Sequence, residues 1–135
     1  MGKVNYQDYN IYPVRSSTIL TGSYVVGTVI GPEVLVEDQN QLVLYISFTI
    51  GALTSGQVKI EFSNDKTNYY QESIADLTTT FGTSIEKVLE HSYAASGNYR
   101  LPIEVKDRYI KISAKGTGAD ATGSLMQIDL VVGTA

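Results

Sequence analysis

The chain has no cysteine, which rules out a disulfide framework, a thiolate nucleophile and a cysteine-built zinc site. The compartment stays open on this ground, because many exported proteins also lack disulfides. A single histidine, His91, means that no centre with two or three histidine ligands can form within one chain. We expect His91 to be a polar surface residue. An excess of positive charge is missing too: the formal net charge is -4, with a pI near 4.8. Lys59, Lys66, Lys87, Lys106, Lys111 and Lys115 are spread among acids rather than gathered into one basic stripe, which argues against binding a nucleic-acid backbone. No apolar stretch approaches the length of a transmembrane helix. Met1 to Tyr12 is polar and tyrosine-rich, and no apolar run follows Lys3 as it would in a signal peptide. The expectation is therefore no nucleic-acid partner and no membrane, with use in a cytoplasm or assembly there into a larger particle.

Catalytic patterns are equally sparse. No Gly-x-Ser-x-Gly elbow presents a serine. Gly116-Thr117-Gly118 and Gly123 lack the following lysine and Ser/Thr of a phosphate loop and suit a strand connection. Acid pairs such as Glu37/Asp38 and Glu104/Asp107 carry no local signature of general acid/base work. Asn64-Asp65 with Asp120 are candidate oxygen donors for calcium, but their spacing is not that of an EF-hand loop. We expect no enzyme, no metal site and no cofactor.

What the chain does have is strand pattern. Leu42, Leu44, Ile46, Phe48 and Ile50 alternate with Val43, Tyr45, Ser47 and Thr49; Val58, Ile60 and Phe62 alternate with Lys59, Glu61 and Ser63; Ile110, Ile112 and Ala114 alternate with Lys111, Ser113 and Lys115. Period-two alternation marks strands with one face on a core and the other turned to water or a partner. Further strands are expected at Ser23 to Ile30, Tyr69 to Ile74, Asn98 to Val105 and Ser124 to Val132, with a short one at Val34 to Val36. Ile85 to Tyr93 suits a strand slightly better than a short helix. Gly51 to Gly56 turns the chain, so Leu42 to Ile50 and Gln57 to Ser63 are most simply an antiparallel hairpin. Seven to nine short strands with Gly, Asn, Asp and Thr turns specify an all-β fold, an antiparallel β-sandwich or a jelly-roll-like barrel. At 135 residues this is one domain, expected over 19–135, with residues 1–18 as an extended N-terminal arm. Pro13 blocks a helix there, and Tyr6, Tyr9 and Tyr12 recur every third residue.

Ten tyrosines stand against three phenylalanines and no tryptophan. Tyrosine covers apolar surface while keeping a polar tip, which suits both interfaces and half-exposed strands. Tyr6, Tyr9, Tyr12 and Arg15 are the candidates for a capsid or subunit contact. Tyr45, Tyr69, Tyr70, Tyr99 and Tyr109 are the candidates for a partner or glycan surface.

Two stretches carry a resemblance. One runs Leu44-Tyr45-Ile46-Ser47-Phe48-Thr49, through Gly51 and Leu53-Thr54-Ser55, to Val58-Lys59-Ile60-Glu61-Phe62-Ser63-Asn64-Asp65 and Tyr69-Tyr70-Gln71-Glu72. The other runs Gly97-Asn98-Tyr99-Arg100-Leu101-Pro102, then Asp107-Arg108-Tyr109-Ile110-Lys111-Ile112-Ser113-Ala114-Lys115-Gly116-Thr117-Gly118. With the closing Gly123 to Gly133, they resemble small structural proteins encoded among tailed-bacteriophage virion genes. The Arg-Tyr-Ile-x-Ile strand is also similar to that of discoidin-like jelly rolls. The phage resemblance implies a virion protein without substrate turnover, whose partners are the major capsid protein or other virion proteins. It further implies a homo-oligomer, with a trimer as one candidate. Head decoration is the leading form; a connector, tail or fibre component, or a glycan-binding module, are the alternatives.

Overall fold

The structure is a computed structural model and describes residues 8–27, 34–35, 41–71, 73–76, 85–88, 90–104 and 107–134. Every regular element among them is a β-strand. One sheet contains β1 (Asp8–Thr18), β4 (Gln41–Thr49), β10 (Gly97–Ile103) and β12 (Leu125–Thr134), in the order β1-β12-β4-β10. The second is built on β5 (Ser55–Ser63) and β11 (Tyr109–Thr117), which pair along their whole length. β2 (Val25–Val26) and β3 (Val34–Leu35) flank β11, while β6 (Tyr70–Gln71) and β9 (Glu90–Tyr93) flank β5. All pairings are antiparallel, and the two sheets form a sandwich without closing into a barrel among the described residues.

The alternation seen in the sequence becomes the core. Leu42, Leu44, Ile46 and Phe48 of β4 lie opposite Val132, Leu130, Ile128 and Met126 of β12, and all eight are buried. Val58, Ile60 and Phe62 of β5 oppose Ala114, Ile112 and Ile110 of β11 and close the core from the other side. Each large apolar side chain fully buried in this way contributes roughly 1.5–3 kcal/mol. Gly56 and Gly116 face each other across the β5–β11 ladder. A Cβ on Gly56 would stand 2.8 Å from Phe48, and one on Gly116 2.6 Å from Leu53. The two glycines let side chains of the opposite sheet and its turn press against bare backbone.

Three expectations change. First, β4 and β5 are not a hairpin: β4 pairs with β10 and β12, and β5 with β11, β6 and β9. Both strands have one wholly apolar face, so facing each other across the core buries both. The turn between them crosses the sandwich, with Leu53 buried beneath it. Second, residues Asp8–Thr18 are an edge strand rather than an arm outside the domain, paired from Asp8↔Thr134 to Thr18↔Met126. The ladder is irregular between Pro13 and Thr18, where Val14 turns into the core with 5% of its surface exposed. Proline on the edge strands β1 (Pro13) and β10 (Pro102) is where a missing ladder donor is tolerated. Third, the segment expected as a strand over Ser23 to Ile30 is strand only at Val25–Val26 among its described residues. Of residues 85–93, those described are strand, as β8 (Ile85–Val88) and β9, not helix. β8 pairs with β7 (Ser73–Asp76) in a two-stranded sheet that leaves β5 between Lys59 and Glu61, the positions facing Glu90 and Gln71.

Candidate functional site

The strand registers place the chemistry-bearing side chains on two outer faces. On the four-stranded sheet, the residues alternating with the core form rows across the strands. One row is Ile11, Val131, Val43 and Pro102; the next is Pro13, Asp129, Tyr45 and Arg100. Ile11 is 68% exposed and Tyr45 45%. A band of apolar surface thus crosses all four strands, with one acid and one base set into it. Gln127 Nε2 donates to Asp129 Oδ2 at 3.4 Å.

The outer face of the other sheet is polar and tied together. The Tyr24 ring is flanked by Lys59 Nζ at 4.5 Å and Lys115 Nζ at 4.8 Å, and its hydroxyl donates to Glu90 on β9. Burial, and then the hydrogen bond and charge of Glu90, push the Tyr24 phenol well above its ordinary pKa. Lys111 Nζ sits 4.2 Å from the centroid of the Tyr69 ring, and Lys59 pairs with Glu61 at 3.6 Å. Buried Gln57 donates to Ser55 and Ser92 and accepts from Thr117 Oγ1 at 2.7 Å. Three of the lysines that are scattered in sequence, Lys59, Lys111 and Lys115, therefore share one face. β5 and β11 are neighbours, and all three lysines fall on the parity that points outward. Sequence reasoning missed both this gathering and Tyr24, whose role depends on a strand distant in the chain. The acids Glu61 and Glu90 share the face, so it is mixed rather than a basic stripe.

The expected contact residues distribute as follows. Tyr6 lies outside the described residues, and for Tyr9 only its place on β1, opposite Gly133, is described. Tyr12 is half-buried against the core. Arg15 donates from Nε to the Met126 carbonyl at 3.0 Å and from Nη2 to the Ile19 carbonyl at 2.7 Å, and partial burial lowers its pKa. Both Tyr12 and Arg15 thus serve the fold. Of the second set, Tyr45 stands on the outer face of the four-stranded sheet, whereas Tyr69, Tyr70 and Tyr109 belong to the region of the other sheet. Tyr109 lies beside the Arg108 guanidinium, 5.7 Å from its ring centroid. Tyr99 turns inward, its ring 4.3 Å from that of Tyr93 and its hydroxyl donating to the Ala95 carbonyl. The five tyrosines do not form one platform, and cations already cover faces of Tyr69 and Tyr109.

The candidate oxygens for calcium do not meet. Asp65 follows the end of β5 that pairs with Tyr109, while Asp120 follows the opposite end of β11. Asp65 accepts from the Asn68 and Thr67 backbone amides, the Asn68 side chain and the Ser63 hydroxyl, which hold its carboxyl well below the usual range. This set closes the turn in which Lys66 takes a positive φ of 63°. Asp120 caps its own turn through Thr122. His91, expected on the surface, is half-buried on β9 opposite Val58. Among the described residues no group of His, Asp or Glu has the arrangement of a metal site.

No family model matches the chain, and no curated protein matches it. Among solved structures it is similar to the SPBc2 prophage-derived protein YomS, with a TM-score of 0.52 and 13% identity over 98% of both chains. A chain of infectious bursal disease virus, Gx strain, matches with a TM-score of 0.46 and 8% identity, over 96% of this chain and 32% of that one.

Proposed function

We propose that this chain is a non-enzymatic structural protein of a tailed-phage particle, and that it acts as a head decoration or cement protein that bridges and stabilises capsid subunits. The observation that carries the reading is the end-to-end fold likeness to a prophage-derived protein, which covers 98% of each chain. It joins the sequence resemblance of residues 44–133 to small virion proteins. The strand order adds support: β1-β12-β4-β10 lies over β2/β3-β11-β5-β6/β9, and the chain changes sheet from β1 to β2/β3, to β4, to β5, and from β9 to β10, β11 and β12, staying in one sheet only from β5 to β6 and β9, which favours a jelly-roll winding.

The physical mechanism is mass action. A small domain that binds the assembled lattice but not free subunits stabilises the lattice by RT ln(1 + [L]/Kd), about 2.7 kcal/mol per site at a hundredfold excess over Kd. Repetition around symmetry axes makes each weak contact recur, and a homo-oligomer engages several subunits at high effective concentration. Tyr6 and Tyr9, at and just before the start of the edge strand, are the proposed lattice contacts; Tyr12 and Arg15 hold that strand in place. The partner is the major capsid protein, and the site of action is the virion, assembled in the host cytoplasm. Electron microscopy of phage heads mixed with the protein tests this. Regular density at lattice symmetry axes is the expected result. Density confined to the portal, tail or fibres would move the role there, and sugar binding without any particle density would favour a glycan-binding module.

A further inference from the structure

We propose that the outer face of the four-stranded sheet is a self-association surface, on which a second copy of this chain packs about a two-fold axis running along β4. Such a surface is independent of where in a virion the protein sits, and the order of residues across the sheet points to it. In one row, Asp129 on β12 and Arg100 on β10 flank Tyr45 on β4. Neighbouring strands are ~4.8 Å apart, so acid and base stand about 10 Å apart with the tyrosine between them. Among the described residues Arg100 has no ion-pair partner, and Asp129 meets only the Gln127 amide, at 3.4 Å.

A two-fold axis along β4 exchanges β12 with β10 and leaves each row at its own height. Asp129 then faces Arg100 of the second copy, twice by symmetry. Val131 faces Pro102 of the second copy, while Val43 and Tyr45 each meet their own equivalents on the axis. The surface is self-complementary in charge as well as in apolar content, as an isologous contact requires. Aligned packing of two sheets within ~30° is the ordinary way for such faces to meet. An axis between β12 and β4 would overlap more strands, bringing Ile11 onto Pro102. It would also set the Asp129 carboxylate on Tyr45 and the Arg100 guanidinium on Pro13, leaving both charges without opposite partners. Charge selects the axis along β4.

Three strands of about seven residues cover on the order of 350 Å2 of flat sheet per copy, less than half the usual ~800 Å2 per partner, so the pair is weak, with a Kd of roughly 10–100 μM. Sedimentation velocity on the full chain, from about 5 to 500 μM, reads it directly against that range. The expected result is a reversible monomer–dimer equilibrium. Asp129→Arg or Arg100→Asp alone weakens it about tenfold or more, and the double variant restores it to within about threefold. Ile11→Ser leaves it unchanged. Circular dichroism melts show that each variant is folded, since all three positions lie outside the core. Monomer throughout, a trimer in place of the dimer, a dimer indifferent to Asp129→Arg, charge swaps that fail to restore each other, or a dimer broken by Ile11→Ser would each overturn the proposal.

Discussion

Gly51 is where the two turns at one end of the sandwich lock together, and replacing it with alanine measures that lock. Ala52 donates its backbone amide to the Thr122 carbonyl at 3.0 Å, and Thr54 donates to the Thr117 carbonyl at 2.8 Å, so the β4–β5 turn is tied to the β11–β12 turn. Gly51 has φ of 57°, a conformation that costs an L-residue ~1–2 kcal/mol. An added Cβ would also stand 2.5 Å from the Gly123 carbonyl carbon and the Thr122 oxygen and 2.6 Å from the Ser124 nitrogen. These are backbone atoms on the facing turn and cannot rotate away. Relieving the overlap means separating the turns, at a further ~1–3 kcal/mol of the kind seen on overpacking. Two other glycines divide the effect into its parts. Gly123 has φ of 77°, but its nearest contact from an added Cβ is 3.6 Å, so Gly123→Ala carries the backbone strain alone. Gly22 has nothing within 4 Å, so Gly22→Ala carries neither. The expected losses are about 3 kcal/mol for Gly51→Ala, about 1–2 for Gly123→Ala and near zero for Gly22→Ala. At this chain length each kcal/mol lowers Tm by about 3–5 °C, so thermal melts separate the three variants. A Gly51→Ala melt no lower than that of Gly123→Ala would show that the turns are not in this contact.

Leu44→Ala removes a fully buried side chain from the centre of the four-stranded sheet and should cost about 2–5 kcal/mol in denaturant unfolding; Tyr45→Ser, one residue away but facing out, should leave the monomer within about 0.5 kcal/mol of wild type. Deleting residues 1–18 removes β1 and uncovers the β12 edge, so the truncated chain should lose cooperative unfolding in a melt; a full, sharp transition would show that β1 is dispensable. The raised Tyr24 phenol adds stability that is fully present below the unfolded tyrosine pKa of about 10 and is lost as pH rises above it, because the unfolded chain ionises first. Melts between about pH 8 and 11 should show a shallower alkaline decline for Tyr24→Phe than for wild type, the residual slope including Tyr93, whose phenol burial also raises. The depressed Asp65 carboxyl acts in the opposite direction: its contribution is present above the unfolded aspartate pKa of about 3.9 and fades as pH falls below it, so Asp65→Asn should flatten the acid side of the profile.

Much of the fold was visible in the order of residues. The alternation at Leu42 to Phe48, Val58 to Phe62, Ile110 to Ala114 and Met126 to Val132 marked which apolar side chains enter the core, because in a strand parity decides which face a side chain occupies; it did not mark Ser63 and Ser113, which are buried although they alternate with the core residues. The turns at Gly51 and around Gly118 to Gly123 were visible too, but Gly56 and Gly116, expected at turn ends, are ladder partners inside β5 and β11, and Gly31-Pro32 lies outside the described residues. Parity does not say which strand lies alongside which. Leu42 to Ile50 and Gln57 to Ser63 satisfy a hairpin and a crossing between sheets equally well in sequence; burying two apolar faces against each other selects the crossing. The same holds for Asp8 to Thr18, whose exposed-looking tyrosines concealed an edge strand that pairs with residues more than a hundred positions away.

The surfaces divide along the same line. That the chain is an all-β protein with polar and tyrosine-bearing outer faces follows from local pattern, since propensity and alternation are properties of neighbouring residues. The lysine–tyrosine cluster around Tyr24, the Gln57 network and the acid–tyrosine–base row across Asp129, Tyr45 and Arg100 join residues from three or four distant strands. Their composition is set by sheet order and register. Those in turn are fixed by which apolar faces find each other in the core, a long-range choice that no local window of sequence contains.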